Sequence, residues 1–166
     1  MKKILILVLI AFSTFKISAQ AKIDFQVGGA NFLGAALNAE FDIPVNKEKE
    51  HYLMPRFGIG LLGTSNTIMH LGLHYRMNKF GVGCEVSNFS ISPFTADGYI
   101  NDFVDVLLYP NINYTLIRSK DPKWYYRFSA GAYFAYSKYT NYDQETYLEW
   151  EGDMIPGIGI TAGYMF

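Results

Sequence analysis

Ile158-Gly159-Ile160-Thr161-Ala162-Gly163-Tyr164-Met165-Phe166 alternates without a break. Ile158, Ile160, Ala162, Tyr164 and Phe166 share one parity; Gly159, Thr161, Gly163 and Met165 share the other. Successive side chains on a strand point to opposite faces, so this stretch reads as a strand with one apolar, aromatic-ended face and one small or polar face. The same two-residue period recurs upstream.

Working back along the chain, the period marks seven more strands, over 23–29, 33–43, 52–62, 68–77, 80–87, 103–116 and 124–136. In the second, Leu33, Ala35, Leu37, Ala39, Phe41 and Ile43 oppose Gly34, Ala36, Asn38, Glu40 and Asp42. In the seventh, Trp124, Tyr126, Phe128, Ala130, Ala132, Phe134 and Tyr136 oppose Arg127, Ser129, Gly131 and Tyr133. Asn78-Lys79 is a tight hairpin signal, and 44–50 and 118–123 read as polar connections. Longer loops are expected over 88–102 and 137–153. Pro110 falls inside the sixth strand and cannot donate to a ladder, so a bulge is expected there.

The polar parity carries glycines and charges of both signs, among them Asp24, Glu40, Asp42, Glu85, Asp105, Arg56, Arg76 and Arg127. The apolar parity carries large aliphatic and aromatic side chains. Hydrophobic residues make up 50% of the chain, yet the mean hydropathy is only +0.06, as alternation would produce in a membrane-spanning barrel. Beyond the leader no apolar run approaches the roughly 20 residues of a spanning helix. Aromatics reach 17%, enough to furnish interfacial girdles, and Phe41, Tyr75, Phe80, Tyr114, Trp124, Tyr126, Tyr164 and Phe166 fall at one end of their strands. A net charge of -1 offers no basic footprint for nucleic acid, and the lone Cys84, read as an apolar filler, excludes an intramolecular disulfide and cysteine-cluster zinc.

At the other terminus Lys2 and Lys3 precede the short apolar run 4–12, and Ala19-Gln20-Ala21 is a small-residue cleavage site. These are the parts of a secretory signal peptide, with cleavage after Ala19 or Ala21. The expected organisation is a leader over 1–19 and one barrel domain over 20–166. An even strand number puts both ends of the barrel on one side, the periplasm for an exported chain; the two long loops then face outward.

The terminal aromatic strand resembles the closing strand of bacterial outer-membrane barrels, in which Tyr164 and Phe166 would form the signal read by the insertion machinery. The whole mature chain resembles the small eight-stranded barrels of the outer-membrane protein A and X type; Ser18-Ala19-Gln20 and the Gly/Tyr-rich strands resemble barrels of Bacteroidetes. The resemblance implies an all-β, up-and-down eight-stranded antiparallel transmembrane barrel in the outer membrane, with lipid, lipopolysaccharide and the insertion machinery as partners and no cofactor.

Candidate functional residues fall in two groups. Glu40, Arg56, Arg76, Glu85, Asp105 and Arg127 are expected to pair across a lumen just wide enough for side chains, as a plug rather than a gated ion path. Tyr139, Tyr142, Tyr147 and Trp150, in the second long loop, are candidates for contact with an external protein or glycan. His70 and His74 stand four residues apart on a strand, about 13 Å at ~3.3 Å per residue, too far for one metal ion. No outward His/Ser pair supports a lipid-modifying enzyme. The expected role is structural or adhesive, with a narrow pore as the second reading.

Overall fold

A computed structural model describes residues 19–32, 34–62, 66–91, 105–140 and 146–166. Residues 1–18 of the expected leader, 92–104 of the expected first long loop, and Tyr142 lie outside the described residues. The eight strands are β1 (Gln20–Gly28), β2 (Ala35–Asn46), β3 (His51–Leu62), β4 (Asn66–Met77), β5 (Phe80–Ile91), β6 (Val106–Ile117), β7 (Trp124–Thr140) and β8 (Thr146–Met165). Each pairs antiparallel with its neighbours in sequence order, and β1 closes on β8 to make a barrel.

The ladder can be followed around the sheet from Ile23 through Ala39, Phe57, Leu71, Val86, Leu108 and Phe134 to Met154. The β8–β1 register then returns to β1 about ten residues beyond Ile23, a stagger that goes with strands tilted roughly 35–45° to the barrel axis. The parity read from the sequence holds on every strand. Leu71 is 69% exposed and Ile158 74%, whereas Arg127, Glu85 and Glu40 on the opposite parity are buried.

Several elements differ from the sequence reading. β2 runs to Asn46 through a bulge at Pro44–Asn46, so the β2–β3 connection shrinks to the turn 47–50. The start expected at Leu33 moves to Ala35, because Gly29–Asn31 form a 3-10 turn that folds into the lumen. β5 extends to Ile91, into the span expected as loop 88–102.

The span expected as loop 137–153 is mostly strand. Tyr136 to Thr140 pair with Trp150 to Thr146, forming a ribbon beyond the barrel rim. Between Phe134–Met154 and Tyr136–Trp150 the register shifts, with Ala135 facing 151–153 across the irregularity. Gly152 there adopts φ +84°, a left-handed conformation open to glycine. The mixed polarity of 146–153 hid the strand because this stretch has no core to face.

Pro110 causes no bulge. Its place in β6 keeps the pair with Cys84 on β5, but the β6–β7 ladder lacks pairs at Tyr109 and Pro110 and resumes at Asn111 in the same register. Pro55 does the same to the β2–β3 ladder between Glu40–Arg56 and Ile43–Leu53. A missing N–H removes ladder bonds on one side only; no extra residue is inserted, so parity survives. Pro110→Val restores that donor and should raise the temperature at which the folded barrel loses its compact gel mobility, by an amount equivalent to roughly 0.5–1.5 kcal/mol for one hydrogen bond. A lowered transition would show that the gap is filled by something the proline ring supplies.

Candidate functional site

Inward parity and the closed sheet bring the charged residues of six strands into one narrow lumen. At the turn end, Lys22 Nζ lies 2.6 Å from Asp42 Oδ1, and Arg76 donates to Asp42 Oδ2 at 2.8 Å. One level deeper, Arg127 forks onto both oxygens of Glu40, at 2.5 and 2.6 Å. The planar guanidinium matches a carboxylate in this two-bond arrangement, the strongest form of such a pair. Asp24 accepts from Arg56 at 2.5 Å, from Asn38 at 2.6 Å and from Tyr125 Oη at 2.7 Å. The Tyr125 ring also lies under Lys22, whose Nζ is 4.9 Å from its centroid. Buried here are four cations (Lys22, Arg56, Arg76 and Arg127) and four carboxylates (Asp24, Glu40, Asp42 and Glu85), so the described lumen is balanced.

The six residues expected to form the lumen network are only partly brought together. Arg127 pairs with Glu40, but Arg56 takes Asp24 and Arg76 takes Asp42. Asp105 stands just before β6, half-buried near the rim, its N–H donating to Tyr136 O at 3.0 Å. Lys22, Asp42, Asn38 and Tyr125 complete the arrangement. Their parity was readable, but partner choice depends on register between strands distant in sequence.

Glu85 faces the two histidines. His74 Nε2 is 3.2 Å from one carboxylate oxygen and His70 Nε2 is 3.8 Å from the other. The imidazoles thus approach one carboxylate from two sides, and no group of three or more His, Cys, Asp or Glu among the described residues could hold a metal ion. Each of the three side chains rests over a glycine of an adjoining strand. A Cβ on Gly58 would strike Asn38 and His70, one on Gly72 would strike Glu85, and one on Gly83 would strike His74.

The other end is closed by apolar packing. The 3-10 turn carries Ala30 into contact with Leu107, Tyr109, Tyr133 and Ala135, with Phe32 against them. Tyr109 stacks on Tyr133 at 5.0 Å between centroids, and Phe32 meets Tyr133 edge-on at 5.3 Å. Ser87 Oγ donates to Ala30 O at 2.5 Å and ties the turn to β5. Below this cap the lumen is filled by the charged residues and their hydrogen-bonding partners.

On the outside, Phe80 and Tyr114 lie 4.8 Å apart, Trp124 and Tyr164 5.4 Å, and Tyr164 and Phe166 5.3 Å. Tyr164 and Phe166 therefore belong to an aromatic band at the turn end. Of the four contact candidates, Tyr147 and Trp150 lie on the ribbon strand of β8, 50% and 51% exposed, and Trp150 packs on Phe134 at 6.5 Å. Tyr139 pairs with Tyr147 in the ladder.

Arg127→Met leaves Glu40 buried with Lys22, 3.4 Å away, as its remaining ion-pair partner among the described residues, and should cost about 3–5 kcal/mol of barrel stability. The double variant Arg127→Met/Glu40→Leu should recover most of that loss, because a buried pair contributes little beyond an apolar pair of similar volume. Urea titration of the compact form gives the cycle; additive losses would mean that the two side chains do not act as a pair.

No protein-family model, curated protein or solved structure matches the chain.

Proposed function

We propose that the chain is an integral β-barrel of a bacterial outer membrane, with a structural or surface-contact role exercised through its loop end. One observation carries the reading: the polarity of the barrel is inverted. Eight charged side chains are buried inside, while Phe25, Leu37, Phe57, Ile59, Leu71, Leu73, Ile112 and Ile158 stand exposed around the outside. In water such a band would far exceed the few hundred Å² of contiguous apolar patch that soluble monomers tolerate. In a bilayer it is the required surface, and a closed sheet leaves no unpaired edge in the hydrocarbon. The aromatic band at the turn end fits the headgroup level.

On this reading the partners are lipid and lipopolysaccharide around the barrel, the insertion machinery at Tyr164 and Phe166, and an external protein or glycan at the ribbon. Tyr147 and Trp150 present large, stiff aromatic surface there, the residue types that anchor interfaces. The packed lumen favours this role over a pore.

The unboiled protein from the outer-membrane fraction should migrate faster than the boiled protein, because a closed barrel resists cold detergent. Planar bilayers holding it should show no steady conductance. Recovery in a periplasmic wash without detergent would refute the membrane assignment, and stepwise currents would replace the structural role with transport. Deleting Phe166 should lower the fraction that reaches the heat-modifiable form in cells; unchanged assembly would remove the role given to the terminal aromatic.

A further inference from the structure

We propose that the turn end carries a second, charge-based membrane contact: Lys79, Arg118, Lys120 and Lys123 form a cationic arc that docks on the phosphates of anionic phospholipid headgroups. The inference deepens the membrane reading and rests on it.

The arc is built by two turns, 78–79 between β4 and β5, and 118–123 between β6 and β7. All four side chains are exposed. Among the described residues none of them forms an ion pair, whereas every cation of the lumen has its carboxylate. The one acid within the second turn, Asp121, is engaged in the turn itself, its Oδ1 accepting the Lys123 N–H at 3.1 Å. The backbone beneath the arc is pinned. Thr115 N–H donates to Lys79 O at 2.7 Å, and Met165 N–H donates to Lys123 O at 2.8 Å.

The vertical order on this side of the barrel identifies the partner. Exposed Val82 and Ile112 form the apolar band, the Phe80–Tyr114 and Trp124–Tyr164 pairs come next, and the cations follow. Lys123 Nζ lies 5.7 Å from the centre of the Tyr164 ring, at the junction of the aromatic and cationic levels. Acyl chain, interface and phosphate succeed one another in the same order in a phospholipid leaflet, and juxtamembrane basic residues are attracted to anionic headgroups. A nucleic acid or an acidic protein would match the cations and leave the aromatic level above them unused. The third turn differs: 47–50 alternates Lys47, Glu48, Lys49 and Glu50 and neutralises itself. The sequence between β5 and β6 at 92–104 and between β7 and β8 at 141–145 holds Asp97, Asp102, Asp143 and Glu145 and no Lys or Arg.

The test places the purified full-length mature barrel in vesicles of phosphatidylcholine alone and of phosphatidylcholine mixed with phosphatidylglycerol. The readout is the temperature at which the compact band converts to the unfolded one. Phosphatidylglycerol should raise it for the wild type at low salt. The increase should vanish near 1 M salt, where the Debye length is about 3 Å. It should also vanish in the quadruple variant Lys79→Gln/Arg118→Gln/Lys120→Gln/Lys123→Gln, and persist in Lys47→Gln/Lys49→Gln. Equal transitions in the two lipids for the wild type, or a full increase retained by the quadruple variant, overturn the docking surface and leave the membrane reading standing. Absence of a compact, vesicle-bound form in either lipid overturns both.

Discussion

Arg127 and Glu40 meet by two hydrogen bonds in the middle of a lumen too narrow for bulk water. A charge placed there can be stabilised only by other side chains, and leaving it without them costs several kcal/mol. That constraint propagates through the interior. Glu40 takes Arg127, so Arg56 turns to Asp24, Arg76 and Lys22 share Asp42, and Tyr125 spans the levels by donating to Asp24 beneath the Lys22 ammonium. Four buried cations face four buried carboxylates because six of the strands contribute to a common account of charge, and strands far apart in sequence are held to one register by it.

Glycine placement follows from the same crowding. Large inward side chains need somewhere to lie, and the neighbouring strand supplies a position without a Cβ. His70 lies over Gly58, Glu85 over Gly72, and His74 over Gly83; on the other side of the barrel Tyr133 lies over Gly157 and Tyr125 over Gly163. A face that reads in sequence as small or polar is therefore a set of sockets, one strand's glycine receiving the next strand's bulk. The glycines weaken each strand in isolation and permit the close packing of the large inward side chains.

Strand number, parity and the location of the charges were legible because alternation is a local property. Phe57 and Arg56 declare opposite faces whatever their partners are. Pairing is not legible in the sequence: Arg56 and Arg76 cannot be assigned to Asp24 and Asp42 without the register, and Lys22, whose parity matches Asp24, precedes the stretch 23–29 that alternation marks as the first strand. In sequence Pro110 reads as a bulge because a proline in a closed sheet must lose a bond. The loss can be absorbed as a short gap, as at Pro55, when the register on both sides is already fixed by packing. The outer ribbon is not legible for the opposite reason. Residues 146–150 are exposed on both faces, so no burial imposes a period on them.

These differences sort the molecule into parts with separate constraints. Within the barrel, side chains are held by the interlocking ion pairs and sockets, and a change at one position is felt across several strands. Past the irregularity at 151–153 the two ribbon strands pair with each other, and Tyr147 and Trp150 are free of the lumen's demand for charge balance. At the turn end, Arg118, Lys120 and Lys123 sit on a backbone anchored by strand bonds, and among the described residues their side chains form no ion pair. A closed sheet with a self-neutralised interior can thus carry different surface chemistry at each end, because the neutrality of the lumen keeps either end from being electrostatically tied to the core. The closed middle fixes where the two ends stand.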